Sequence, residues 1–235
     1  MSHPVLLNNI DHQQLRVHTG RGARFGDAVM TALTFPAEFR DVQAHYPIVF
    51  RKRDDGAFEP LALFGFGDGD NLFLDGARWD ASYVPLSIER QPFLIGVNGD
   101  ELMVHVDLDN PRVSATDGEA VFLEHGGSSE YLERINSILL TIHQGLQATP
   151  AFCAALLDHA LLESFVLDVE RDDGAAHRLA GFYTINEERL AGLDGAALAQ
   201  LHHSGYLQAI YMAIASLSNL RALIERQRRA DARPS

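Results

Sequence analysis

Phe93-Leu94-Ile95-Gly96-Val97-Asn98-Gly99-Asp100-Glu101-Leu102-Met103-Val104 is the stretch that decides the fold. Two apolar runs of β-forming residues flank an Asn-Gly-Asp turn, the strongest short-range signal for a hairpin, because Asn and Gly accept the positive φ that tight hairpin turns require. Pro92 stands directly before the first run and disfavours a helix there. The same plan occurs twice more. Ile48-Val49-Phe50 leads to Leu61-Ala62-Leu63-Phe64-Gly65-Phe66 around Asp54-Asp55-Gly56, and Phe165-Val166-Leu167 leads to Leu179-Ala180-Gly181-Phe182-Tyr183 around Asp172-Asp173-Gly174. Three hairpins predict six antiparallel strands in one sheet.

Helical patterns fill the rest. Leu132, Ile135, Ile138, Leu139, Ile142 and Leu146 recur every three or four residues, with Ser128 or Ser129 as N-cap and Glu130 and Glu133 in the first turn. That predicts an amphipathic helix. Thr149-Pro150 reads as the start of a second helix through Phe152, Leu156 and Leu157, since proline suits a first helical position. A short helix opens at Pro36, and between Pro85 and Arg90 there is room for a turn or two. Asn186 and Asp194 each cap a further short helix, and a last helix runs from Tyr206 to about Arg228. Its stripe of Leu207, Ile210, Tyr211, Ile214, Leu217, Leu220 and Ile224 fits a central core helix or a homodimer contact. The expectation is a single α+β domain over residues 35–228, helices packed on antiparallel sheet, with an extended arm at 1–34 and a flexible basic tail at 229–235.

Composition bounds the function. The chain has 235 residues, 46% of them hydrophobic, with a formal net charge of −13 and a pI near 5.2. Nucleic-acid binding needs clustered cations to displace counterions, so no nucleic-acid partner is expected. The one basic cluster, Arg221, Arg226, Arg228, Arg229 and Arg233, suits the end of a solvated helix. A lone cysteine, Cys153, excludes an intrachain disulfide. No signal peptide and no membrane span is read, so the expected location is cytoplasmic.

Tyr46-Pro47, Asn71-Leu72-Phe73, Trp79 with Tyr83 and Pro85, Arg90 with Pro92-Phe93, Tyr131-Leu132, Thr149 with Phe152, Gly181-Phe182, Gly205 with Leu207, Ile210-Tyr211, and Ser216-Leu217 with Asn219 follow one another in a specific order. In that order they resemble the bacterial SapC family, over roughly residues 35 to 220. The resemblance implies a link to surface-layer clusters or outer-membrane uptake systems and implies no established reaction. It also leads one to expect two consecutive basic residues where this chain has Glu89-Arg90.

Candidate sites are few. Trp79, Tyr83, Arg90 and Phe93 lie beside two prolines and a sheet edge, and read either as core packing with an internally paired arginine or as a groove for an extended peptide. His105 and Asp107 alternate on a strand and so share a face, as the first two ligands of an Fe(II) oxygenase do, with His125, His143, His159 or His177 as a distal third. The plainer reading is a polar strand face. His125-Gly126-Gly127-Ser128 has no nucleophile elbow to accompany it, Cys153 lies on an apolar helix, and Gly67-Asp68-Gly69-Asp70-Asn71 lacks the glycine and glutamate of an EF-hand. The leading expectation is therefore a non-catalytic binding protein for a peptide or protein partner. An iron-dependent enzyme and a homo-oligomeric structural component are its rivals.

Overall fold

The computed structural model describes residues 3–99, 101–170 and 176–232. Its first strands are β1 (Pro4–Leu6), β2 (Arg16–Val17), β3 (Thr31–Leu33), β4 (Ile48–Lys52) and β5 (Phe58–Leu63). There follow β6 (Leu74–Asp75), β7 (Arg78–Trp79), β8 (Phe93–Asn98), β9 (Glu101–Asp107), β10 (Val113–Ser114) and β11 (Glu119–Ala120). β12 (Leu162–Glu170) and β13 (Ala176–Ile185) are last. The helices are α1 (Phe39–Val42), α2 (Leu86–Glu89), α3 (Glu130–Asp158), α4 (Glu187–Ala191), α5 (Gly195–His203), α6 (Tyr206–Ser216) and α7 (Asn219–Asp231). Helices and antiparallel sheets together make an α+β fold.

All three hairpins form, as β4–β5, β8–β9 and β12–β13. At the first turn Gly56 takes φ 85°, where a side chain would be strained, and Ala57 N donates to Asp55 Oδ1 at 3.0 Å. Asp172-Asp173-Gly174 and Asp100 lie outside the described residues. The six strands do not share one sheet, however. The first and third hairpins join into the order β12-β13-β4-β5-β3, while the second lies in a separate sheet, β1-β9-β8. The cause is non-local: β1, read in sequence as part of an arm, pairs with β9 from Pro4↔Asp107 to Leu6↔His105 and takes the edge of β9 that β8 leaves open.

Contacts cluster into two units. Unit one comprises Met1–Asp27, Leu74–Trp79 and Leu86–Gln144. Its core is Leu15, Val17, Phe93, Val106, Val121, Tyr131, Leu132, Ile135 and Leu139, so the N-terminal segment is built into a core rather than laid over a surface. Unit two comprises Ala28–Phe73, Asp80–Pro85 and Gly145–Ser235. Within it β4 buries Ile48, Val49 and Phe50 in succession, the signature of a strand covered on both faces, and α6 packs on α1, β4 and β13.

Two helices differ from expectation. Where two helices were read about Thr149-Pro150, α3 is continuous from Glu130 to Asp158. Ser129 caps it, its Oγ accepting Leu132 N at 3.2 Å. The intrahelical bond lost at Pro150 costs the helix about 3 kcal/mol. Burial of Phe152 and Leu156 offsets this; the bond lost is the one to the Leu146 carbonyl, and one turn earlier Thr149 Oγ1 donates to Gly145 O at 2.8 Å. Gly145 itself is required by space, since a Cβ there would stand 2.2 Å from the Phe35 ring. The last helix, conversely, is broken at Leu217-Ser218 into α6 and α7. Ser216 Oγ donates to Ala213 O at 2.6 Å and accepts Ile48 N at 2.8 Å, and Ser218 Oγ donates to Ala215 O at 2.8 Å, so side chains compete with the helical ladder there. By length and composition Tyr206–Asp231 is apolar enough to cross a membrane. α7 continues past Arg228 to Asp231, and Arg226 is half-buried: it donates to Asp80 Oδ2 at 2.7 Å and lies 4.4 Å from the Phe73 ring centre.

Candidate functional site

Unit one holds two three-stranded sheets, β1-β9-β8 and β10-β2-β11, and the β8 edge of the first follows from hydrogen-bond parity. Asp107 N donates to Pro92 O at 3.1 Å, which makes Phe93↔Val106 a pair without direct hydrogen bonds between its members. The backbone groups of Phe93, and with a period of two those of Ile95 and Val97, then point away from β9. Leu7 N donating to Val104 O at 2.9 Å from the other side of β9 agrees with that parity. Because β8 is an edge strand, these outward groups face no further strand. Phe93 is satisfied by one residue: its N donates to Arg90 O at 2.8 Å and its O accepts Arg90 Nη1 at 2.6 Å. The N–H and C=O of Ile95 and Val97 have no partner among the described residues.

Side chains grade along the same strand. Phe93 is fully buried, Ile95 half-buried, and Val97 is 64% exposed beside Leu102 at 42%. The apolar face thus runs out from under its cover toward the hairpin tip. No residue of β8 is charged.

Arg90 follows α2 and reaches this edge through the bond to Phe93 O. Burial pulls its guanidinium below the usual arginine value, yet it has no ion-pair partner among the described residues. None of its nitrogens is both buried and unsatisfied, so the N–H groups not spent on Phe93 reach the surface. The neighbouring Glu89 does not neutralise it, being held by Arg21 and by Arg134 Nη1 at 3.6 Å. Arg21 is positioned in turn by a buried pair. Arg112 Nη2 donates to Asp27 Oδ1 at 2.6 Å, and Arg112 Nη1 donates to His18 O and Gly20 O at 3.1 and 2.7 Å. Gly22 N donates to Asp27 Oδ2 at 2.9 Å, which draws the loop of residues 18–27 tight around the carboxylate.

Of the residues singled out in sequence, Trp79, Arg90 and Phe93 belong to unit one and Tyr83 to unit two. Trp79 is buried on β7 opposite Leu74, and the Phe93 ring packs 6.1 Å from that of Tyr131. What Phe93 presents to the edge is its backbone. The Tyr83 hydroxyl donates to the buried Glu38 at 2.8 Å, and Thr34 Oγ1 donates to the other Glu38 oxygen at 2.7 Å. Burial, then Glu38, hold the Tyr83 phenol far above its ordinary range. Arg112, Asp27, Arg21 and Glu89 were not singled out, because their meeting depends on sequence-distant segments. A sequence signal did exist for the edge, in the absence of any charge between Pro92 and Asp100.

His105 and Asp107 do share a strand face. Asp107 Oδ1 accepts His3 N at 2.7 Å and Asp109 N at 3.2 Å, and the His105 ring lies over Gly96, where a Cβ would stand 2.5 Å from it. Among the described residues no three His, Cys, Asp or Glu side chains are grouped to hold a metal ion. Cys153 is buried, which pushes its thiol up to about 11. His125-Gly126-Gly127-Ser128 closes a turn in which Leu123 N donates to Gly127 O at 2.7 Å.

The SapC family model matches residues 7–223. The chain belongs to the SapC family. No curated protein and no solved structure matches it. In this SapC chain the acidic Glu89 leaves the cationic character of Arg90 intact, because Glu89 is engaged by two other arginines.

Proposed function

We propose that this SapC chain is a non-catalytic binding protein that takes up an extended segment of a partner polypeptide by strand addition on β8. The observation that supports the reading is the pair Ile95 and Val97, whose outward backbone groups have no partner among the described residues, on a strand without charge. Natural edge strands are ordinarily blunted by charge, proline, bulges or a covering element, and β8 carries none of the first two within Phe93–Asn98. Strand addition draws affinity from main-chain hydrogen bonds, each contributing about 0.5–1.5 kcal/mol, and specificity from alternate side chains. The half-covered face of Ile95, Val97 and Leu102 would receive those side chains.

Proline separates the edge from the ladder. At Val97 the N–H faces outward, so Val97→Pro removes a donor to the incoming strand while leaving the bonds to β9 in place. Short random peptides, displayed through either terminus, are selected on the wild-type chain and the enriched sequences are measured by fluorescence anisotropy. Binding to wild type with a loss of about tenfold or more in Val97→Pro is expected. Equal binding to both proteins, or no enrichment, overturns the reading. So does a wild-type dimer in sedimentation that Val97→Pro converts to monomer, because β8 is then covered by a second copy.

A further inference from the structure

We infer that the segment taken up on β8 is the C-terminus of a partner chain, running antiparallel, with its terminal carboxylate on Arg90. This rests on the strand-addition reading above and adds to it the end, the direction and the charge of the occupant.

Direction and end follow from what blocks the edge. An antiparallel strand that pairs with Val97 and then with Ile95 would next exchange hydrogen bonds with Phe93. Both Phe93 groups are already taken by Arg90, through N to Arg90 O at 2.8 Å and from Arg90 Nη1 to O at 2.6 Å. The guanidinium therefore occupies the place of the next incoming backbone group. A chain in register with β8 has to stop there or leave the edge.

The group that meets Arg90 is set by charge. In an antiparallel strand the advancing end is the carboxyl end; in a parallel strand it is the amino end, whose ammonium would face a like charge. A carboxylate meets instead a guanidinium that is partly desolvated, has no acidic partner among the described residues and keeps donors at the surface. Charge-assisted hydrogen bonds of this kind are roughly twice as strong as neutral ones. The net charge of −13 does not oppose this locally, since exposed charges beyond about 8 Å are largely screened at physiological ionic strength. Glu89, the nearest acid in sequence, is consumed by Arg21 and Arg134.

The peptides enriched on the wild-type chain provide the test. Each is synthesised as a free acid, as a C-terminal amide, and as an amide with one added glutamate. Affinities are then measured for wild type, Arg90→Gln, Arg90→Lys and Val97→Pro. Free acids are expected to bind wild type about tenfold or more tightly than amides, with the difference gone in Arg90→Gln and partly kept in Arg90→Lys. Acid and amide binding equally overturns the terminal-carboxylate inference, while strand addition stands if Val97→Pro still weakens both. An added internal glutamate that matches the free acid also overturns it, in favour of an acidic side chain. Binding that is indifferent to both Arg90 and Val97 removes the strand-addition reading itself.

Discussion

The three-stranded sheet β1-β9-β8 and the five-stranded sheet end in edges of opposite character. β12, at one end of the five-stranded sheet, carries Glu163 and Asp168, both exposed, along its length. β8, at one end of the three-stranded sheet, runs from Phe93 to Asn98 with no charge at all. The two hairpins also differ in regularity: β12 shifts register between Phe165 and Leu167, whereas β8 pairs with β9 without a break, and bulges are one of the devices that protect edges. Protection against foreign strands is a separate property of the sequence, and its lack at β8 coincides with Arg90, a cation that the described structure leaves without an acidic partner.

The largest expected effect lies at the buried pair behind Arg21. Arg112 and Asp27 are 2% and 0% exposed, and removing Arg112 takes from the buried carboxylate a cation at 2.6 Å, with Arg21 Nη1 farther off at 3.9 Å. Arg112→Met is therefore expected to cost about 3–5 kcal/mol in chemical denaturation, whereas the double change with Asp27→Asn should recover much of it. Equal losses in the single and double variants would show that packing around Phe25, not charge, holds the loop. In either case Arg21 loses its position toward Glu89, so the comparison between the edges is sharpened by asking whether peptide uptake falls before global stability does.

Ionisation of Tyr131 comes next. The residue packs against Phe93 at the foot of β8, and burial pushes its phenol from 10.0 up to about 12. A folded-state value above the unfolded one means that the folded chain holds the proton more tightly. This stability is complete below pH 10.0 and is lost as pH rises through about 12, amounting to roughly 2–3 kcal/mol. Denaturation midpoints measured across that window should fall in wild type and fall less steeply in Tyr131→Phe. A slope unchanged by Tyr131→Phe would assign the alkaline loss to Tyr83, whose phenol is held higher still by burial and Glu38.

Much of this arrangement was legible in the sequence, and the rest was hidden for definite reasons. Turn chemistry located the hairpins: Gly56 and Gly99 adopt φ 85° and 61° as their turns require. Asn186 and Asp194 cap their helices by accepting Arg189 N and Ala197 N, each at 2.8 Å, for the same local reason. Strand order was not legible, because β1 reaches β9 across a hundred residues of chain, and pairing at that range leaves no local pattern. Pro150 suggested a helix start because proline is read locally, while the burial that keeps α3 whole is tertiary. Of the candidate site, Arg90 and Phe93 were visible as an aromatic and a cation near an edge. Phe93 took the core-packing reading, its ring buried, and its carbonyl holds Arg90 at the end of the strand.

The smallest change in stability tests the contrast most directly. Val97 is exposed, so Val97→Lys should alter the unfolding free energy by no more than about 0.5 kcal/mol, and so should Asp168→Val on β12, whose partner Arg178 is 3.9 Å away and likewise exposed. Their effects on association should nevertheless be opposite. A lysine on β8 supplies the charge that edge strands ordinarily carry, and it places that charge beneath the apolar side chains of an incoming strand. Peptide affinity should then fall about tenfold, with a small gain in solubility. Removing Asp168 strips β12 of one of its charges and should raise concentration-dependent self-association in light scattering. If Val97→Lys leaves peptide binding unchanged, charge along the strand is not what separates the two edges. The difference would then rest on Arg90, on the register shift that β12 carries and β8 does not, and on the open backbone of β8, which Val97→Pro interrogates without altering charge.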